Sequence, residues 1–203
     1  MRAVGWLRGL ALPDVPEPIA ESSWRRIARV KLVVFPALAL LNVLAIPLSA
    51  YSPVPIDPAV LRRFVAVNLA GHAVVVGLAA WLLWRPRSER AWRSATYVSI
   101  VAETWTAVTA LWVMGCVTSW NYLWMPILIG FYRLYCDARL GAFAYAVAIA
   151  LHAGLVALVC AGVLSGAPLS PVNAPAIYAH PSSILYAAGW IFVIYTVAWL
   201  VMS

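Results

Sequence analysis

The chain has 203 residues, of which 65% are hydrophobic and only 10% charged, with a formal net charge of +7. A water-soluble domain of this size carries roughly 45–50% apolar and about 25% charged residues, because it must clothe its surface in polar groups. Here the surplus apolar surface has to face hydrocarbon, which excludes an ordinary cytosolic enzyme, a disordered tail and a small disulfide scaffold.

A helix that crosses the hydrocarbon layer uses about 20 residues. Six stretches meet that requirement: 32–51, 64–84, 95–117, 120–136, 140–163 and 184–203. Backbone amides find no water inside lipid, and none of these runs alternates with the period of a barrel strand, so each is read as a helix. The expected fold class is all-α, a polytopic bundle of six transmembrane helices, with residues 1–31 as a cytoplasmic basic juxtamembrane segment and 32–203 as the transmembrane domain.

Residues 1–31 are too polar ahead of the first apolar run to be a secretory signal, with Asp14, Pro16, Glu17, Pro18 and Glu21 intervening and no small-x-small site after them. Within them, Glu21, Ser22 and Ser23 supply helix-start groups ahead of Trp24, Arg25, Arg26, Ile27, Ala28 and Arg29. A short basic helix on the inner membrane face, bending into span one, is predicted.

Span one carries Asn42, and the outer loop 52–63 contains Pro53, Pro55, Asp57, Pro58, Arg62 and Arg63. In span two, Asn68 and His72 are four apart and share one helix face, with His72 roughly 12 Å in from the outer side. Glu103 in span three lies roughly 12 Å in from the inner side. A charge at mid-helix costs about 2.5–3.5 kcal/mol even on lenient scales, so Glu103 needs a partner. The short turn 118–119 makes spans three and four antiparallel neighbours, and Arg133 at a similar depth is the expected one. Asp137, one turn beyond Arg133, is a competing partner for that guanidinium.

In span four, Pro126 is predicted to kink the helix and Gly130 to allow close approach of a neighbour. His152 in span five lies roughly 16 Å from the outer side. Asn68, His72, Glu103, Arg133 and His152 are therefore the candidate site, either a ligand pocket in mid-membrane or hydrogen-bonded contacts between helices. The connector 164–183, with four prolines and with Tyr178 and His180 before span six, is read as a solvated loop or as a cap folded back over the outer mouth. Most of the tryptophans and tyrosines lie near span ends, as interfacial anchors.

Arg2, Arg8, Arg25, Arg26, Arg29 and Lys31 precede span one; Arg85, Arg87, Arg90 and Arg93 separate spans two and three; Arg133 and Arg139 flank the turn after span four. Only Arg62 and Arg63 fall on the other side, so the positive-inside rule places both termini in the cytoplasm. Scattered over three loops, these charges give no nucleic-acid surface. Cys116, Cys136 and Cys160 form no CxxC pair, although Cys116 and Cys160 approach the same side; small apolar core cysteines are the expected reading. No pair of histidines or carboxylates has ligand spacing on one helix, and no phosphate loop, GxSxG elbow or paired-carboxylate site is present, so neither metal, cofactor nor catalytic function is expected of this chain.

The six-span plan, the juxtamembrane WRRIARVK, and Pro126 followed by Tyr132, Arg133, Leu134, Tyr135, Asp137 and Gly141 resemble the membrane domains that precede class III adenylate or guanylate cyclase domains, or histidine kinase domains, in bacteria. The resemblance implies a sensory or anchoring module of the cell inner membrane with a cytoplasmic catalytic half after span six. The chain also stops at Ser203 while still apolar, which suggests either a fragment or a partner subunit. The expected function is a receptor or anchor that binds a lipid-like or quinone-like ligand or senses the bilayer, working as a homodimer or with a partner subunit. The alternatives are a structural subunit of a larger membrane complex and a proton-coupled carrier, for which the two halves show no convincing repeat.

Overall fold

Among the described residues six α-helices run up and down in chain order: α1 (Glu21–Leu48), α2 (Pro58–Trp84), α3 (Glu89–Met114), α4 (Trp124–Tyr135), α5 (Ala138–Cys160) and α6 (Pro181–Val201). The computed structural model describes residues 21–52, 55–84, 88–166, 168–169 and 176–201, and among these there is no strand. Arg2, Arg8, Arg85 and Arg87 lie outside the described residues. Five helices, all but α4, are long and apolar enough to cross a membrane. The architecture fits a multi-pass membrane protein.

All the helices but α4 begin before the apolar runs do, and three of them start at a side-chain cap. Asp57 Oδ1 accepts from the amides of Ala59 and Val60, Ser88 Oγ from Ala91, and Asp137 Oδ1 from Leu140. Arg62 and Arg63 consequently stand in α2 and not in a loop. The basic segment and the first span are not separate helices: α1 is one helix from Glu21 through Lys31 into the first apolar run. Its residues Trp24, Ile27, Ala28 and Lys31 follow the i, i+3, i+4, i+7 spacing of a buried face, with Arg26 and Arg29 exposed beside them.

Pro126 does not interrupt a helix. It is the third residue of α4, where the amide would have no intrahelical acceptor and a proline removes nothing. The interior prolines are Pro36 and Pro47 of α1. α4 itself is only 12 residues long, roughly 18 Å, and is extended by the 3-10 turn Trp120–Leu123.

Packing divides the bundle into two halves. α2 lies between α1 and α3, and α4, α5 and α6 contact one another; the α3–α5 contact joins the halves. One core, around Trp24, Leu82, Trp92, Ile100, Tyr132 and Leu140, closes the end that carries the α2–α3 and α4–α5 connections. A second, around Leu111, Met125, Ile129, Val156 and Ile191, fills α3 to α6 towards the opposite end. Between Leu32 and Ser52 no residue of α1 is fully buried, so the second half of this helix rests lightly on the bundle.

The described parts of the long connector fold back, in the manner of a cap. The Cys116 amide donates to the Gly166 carbonyl at 3.0 Å, Asp57 N to the Leu169 carbonyl at 2.9 Å, and Val117 N to the Tyr178 hydroxyl at 3.1 Å. All three cysteines are free.

Gly141 sits where α5 crosses α4: a methyl group there would lie 2.9 Å from Arg133 Cα and 3.1 Å from its backbone nitrogen. Backbone cannot yield as a side-chain tip can. Gly141→Ala is expected to cost about 1–3 kcal/mol of stability, seen as a lower melting temperature in detergent, whereas an unchanged melting temperature would mean that the two helices do not meet at this point.

Candidate functional site

Lys31, on the buried face of α1, projects towards α3 and α4. Its Nζ lies 2.7 Å from Glu103 Oε1 and donates to Ser99 Oγ at 2.8 Å and to the Tyr132 hydroxyl at 2.7 Å. Ser99 donates in turn to Glu103 Oε1 at 2.6 Å, and the Tyr132 hydroxyl lies 3.0 Å from both carboxylate oxygens, to which it is the donor. All four side chains are buried. Removing two charges from water costs several kcal/mol per ion, and is tolerated only where the remaining protons and lone pairs are also satisfied. That condition holds here: three ammonium protons meet three acceptors, and the carboxylate receives hydrogen bonds from α1, α3 and α4.

The expected Glu103–Arg133 pair is therefore corrected. Successive residues of a helix point about 100° apart, and Tyr132 takes the direction towards Glu103. Arg133 turns to α6, where its guanidinium lies 4.6 Å from the centre of the Trp199 ring. Asp137 is held by Arg93 of α3 while it caps α5. Lys31 and Tyr132 were not among the residues singled out, although the spacing Trp24, Ile27, Ala28, Lys31 carries the signal for the first of them.

Beside the ion pair lies a cavity of about 390 Å³. Lys31 and Glu103 line one part of it, Asn42, Asn68 and His72 another, and Phe35, Phe64 and Phe131 add aromatic surface. Val34 of α1 and Ile127 of α4 also line it and are exposed on the outside of the bundle, so the space opens sideways between these two helices. Asn42 Nδ2 donates to His72 Nε2 at 3.2 Å, which leaves the imidazole proton on Nδ1. That Nδ1 is buried and has no hydrogen-bond partner. The Phe35 ring meets the imidazole edge-on at 5.3 Å between centres. The polar groups lie roughly 15–21 Å along α2, near the middle of its 27 residues.

His152 does not join this group. It is fully buried in the other half, where Nε2 donates to the Cys116 carbonyl at 3.1 Å and Nδ1 accepts from the Tyr195 hydroxyl at 3.0 Å. With both nitrogens used, it ties α5 to α6 and to the turn after α3. It sits at the level of the turn after α3, whereas His72 lies beside Glu103 and Thr106 of that helix, so the two imidazoles differ both in level and in neighbour. Among the described residues no three His, Cys, Asp or Glu side chains converge as a metal site would require.

Comparison with protein families, with curated proteins and with solved structures finds no match to this chain.

Removing either member of a buried ion pair leaves the other uncompensated, at about 3–5 kcal/mol. Lys31→Met and Glu103→Leu are each expected to lower detergent stability by that order, and the double variant to recover most of the loss. Additive losses in this double-mutant cycle would show that the two side chains do not meet. Arg133→Met, by contrast, should not change the effect of Glu103→Leu.

Proposed function

We propose that the chain is a sensory domain of the cell inner membrane, with both termini in the cytoplasm, that admits a lipid-like or quinone-like molecule from the bilayer and reports its presence to a cytoplasmic output domain or partner. The distribution of arginines supports the orientation, since the described basic residues other than Arg62 and Arg63 cluster at the end bearing the α2–α3 and α4–α5 connections. One observation carries the functional reading: the cavity opens laterally between α1 and α4, and α4 also contacts α6.

This arrangement gives an occupant a route to the cytoplasmic side. A molecule that enters between α1 and α4 changes their spacing at Val34 and Ile127. α4 is short and is joined to α6 through its packed face and through Arg133 over Trp199, in the last turn of the described helix. A displacement of α4 therefore reaches the end of α6 directly. A ligand shifts such an equilibrium only by its differential affinity for the two spacings, and the lightly packed second half of α1 makes the wider spacing accessible.

The test uses spin labels in lipid nanodiscs, with Cys136 and Cys160 replaced by serine. Labels at Val33→Cys and Ile127→Cys report the mouth of the cavity, and labels at Leu134→Cys and Val201→Cys report the coupling of α4 to α6. Lipid extracted from the native membrane is expected to lengthen the first distance and to alter the second, relative to pure phosphatidylcholine, with the second change lost in Trp199→Ala. Identical distance distributions in both lipids would refute the reading.

A further inference from the structure

The cavity restricts the chemistry of what can occupy it, an inference that rests on the proposed function and narrows its ligand. Among the described residues, Lys31 and Glu103 are the only charged side chains that line it. Neither has a charge to offer, because the ammonium already serves Ser99, Tyr132 and Glu103, and the carboxylate already receives Lys31, Ser99 and Tyr132. A phosphate or sulfonate brought to this depth would meet no free cation, and an ammonium no free anion. An unpaired charge in mid-membrane is strongly unfavourable.

The polar atoms that remain are neutral. Asn68 is 3% exposed, and its one hydrogen bond among the described residues runs from Nδ2 to the Phe64 carbonyl at 3.4 Å, which leaves Oδ1 as an acceptor. One turn further, buried His72 Nδ1 is without a partner, with its proton fixed there by Asn42. Buried polar groups are ordinarily hydrogen-bonded, so an acceptor and a donor left over on adjacent turns of one helix face point to an oxygen supplied from outside the chain. Phe35, Phe64 and Phe131 provide the apolar surround for a ring or chain.

We infer that the cavity takes a neutral amphiphile whose head is a hydroxyl or carbonyl oxygen, such as a quinol, a quinone or a long-chain alcohol, placed at Asn68 and His72 in mid-membrane. A lipid with a charged headgroup does not fit, since its head would have to leave the interface for a site with no counter-charge. The chain of the ligand leaves through the lateral opening between Val34 and Ile127.

Photolabelling of the full chain in phosphatidylcholine nanodiscs separates the outcomes. Two diazirine probes of equal chain length are used, one a primary alcohol and the other a sulfonate, and labelled residues are mapped by mass spectrometry. The alcohol is expected to label cavity residues such as Phe35, Leu38 and Phe64, to be displaced by a decyl-substituted benzoquinone, and to label about fivefold less in Asn68→Leu, as the loss of one hydrogen bond gives. The sulfonate should label only lipid-facing positions such as Leu40 and Val197. Equal labelling of the cavity by the sulfonate would overturn the assignment of a neutral head while leaving the cavity as a ligand site. If neither probe labels the cavity above Leu40 and Val197, the ligand site itself fails. Wild-type protein decides between these results, so they do not depend on the folding of the variant.

Discussion

Lys31 is the chain's single lysine, and its ammonium has three protons to place where water is scarce. Ser99, Tyr132 and Glu103 receive them from two other helices. An arginine would not serve: its planar fork presents five donors, whereas a compact ammonium matches three converging oxygens. The network fixes three helices at one point. α1 is anchored to α3 by the ion pair, and α4 is drawn to both through a phenol that accepts from the lysine and donates to the carboxylate. Beyond that point no described residue of α1 is fully buried, and the space beneath it is the cavity. The ion pair thus accounts both for the cohesion of the bundle at one end and for the opening beside it.

The same geometry explains why the site can be polar without being charged. The ammonium spends all three protons within the network and its charge is matched by the carboxylate, while the Asn68 amide and the His72 imidazole on α2 keep spare hydrogen-bonding capacity. The contrast with His152 is instructive. That imidazole uses both nitrogens inside the protein, on Tyr195 and on the Cys116 carbonyl, and acts as a tie between helices. His72 uses one. The two histidines thus differ in how many partners their surroundings provide. On the cytoplasmic side of the proposed orientation, Arg93 with Asp137 and Arg133 with Trp199 attach both ends of the α4–α5 turn to other helices, so a movement of α4 cannot be absorbed locally.

Hydropathy revealed the six helices because lipid imposes helicity on any apolar run of sufficient length, and it put Asn68, His72 and Glu103 inside helices. It could not supply the rotation of each helix about its axis. Arg133 and Tyr132 are adjacent in sequence and close in depth, yet they face different neighbours, and that rotation decides which of them meets Glu103. The same limit put His152 in the wrong group. Lys31 was missed for another reason: the segment boundary drawn at residue 31 separated the lysine from the bundle, whereas the spacing of Trp24, Ile27, Ala28 and Lys31 marks one buried face of a continuous helix. Pro126 illustrates a third limit, since a proline kinks a helix or opens one according to where the helix begins, and the capping turn after Ser119 is not apparent in the apolar pattern.

A chain with one lysine allows a direct measurement of the central interaction. Solid-state NMR on protein carrying ¹⁵N at the lysine Nζ and ¹³C at the glutamate carboxyl carbons, reconstituted in lipid bilayers, reads the dipolar coupling between them. A single ammonium resonance strongly coupled to one carboxyl carbon, with the coupling abolished in Glu103→Gln, is the predicted result. An ammonium resonance with no such coupling would place Lys31 away from Glu103 in the membrane and contradict the account.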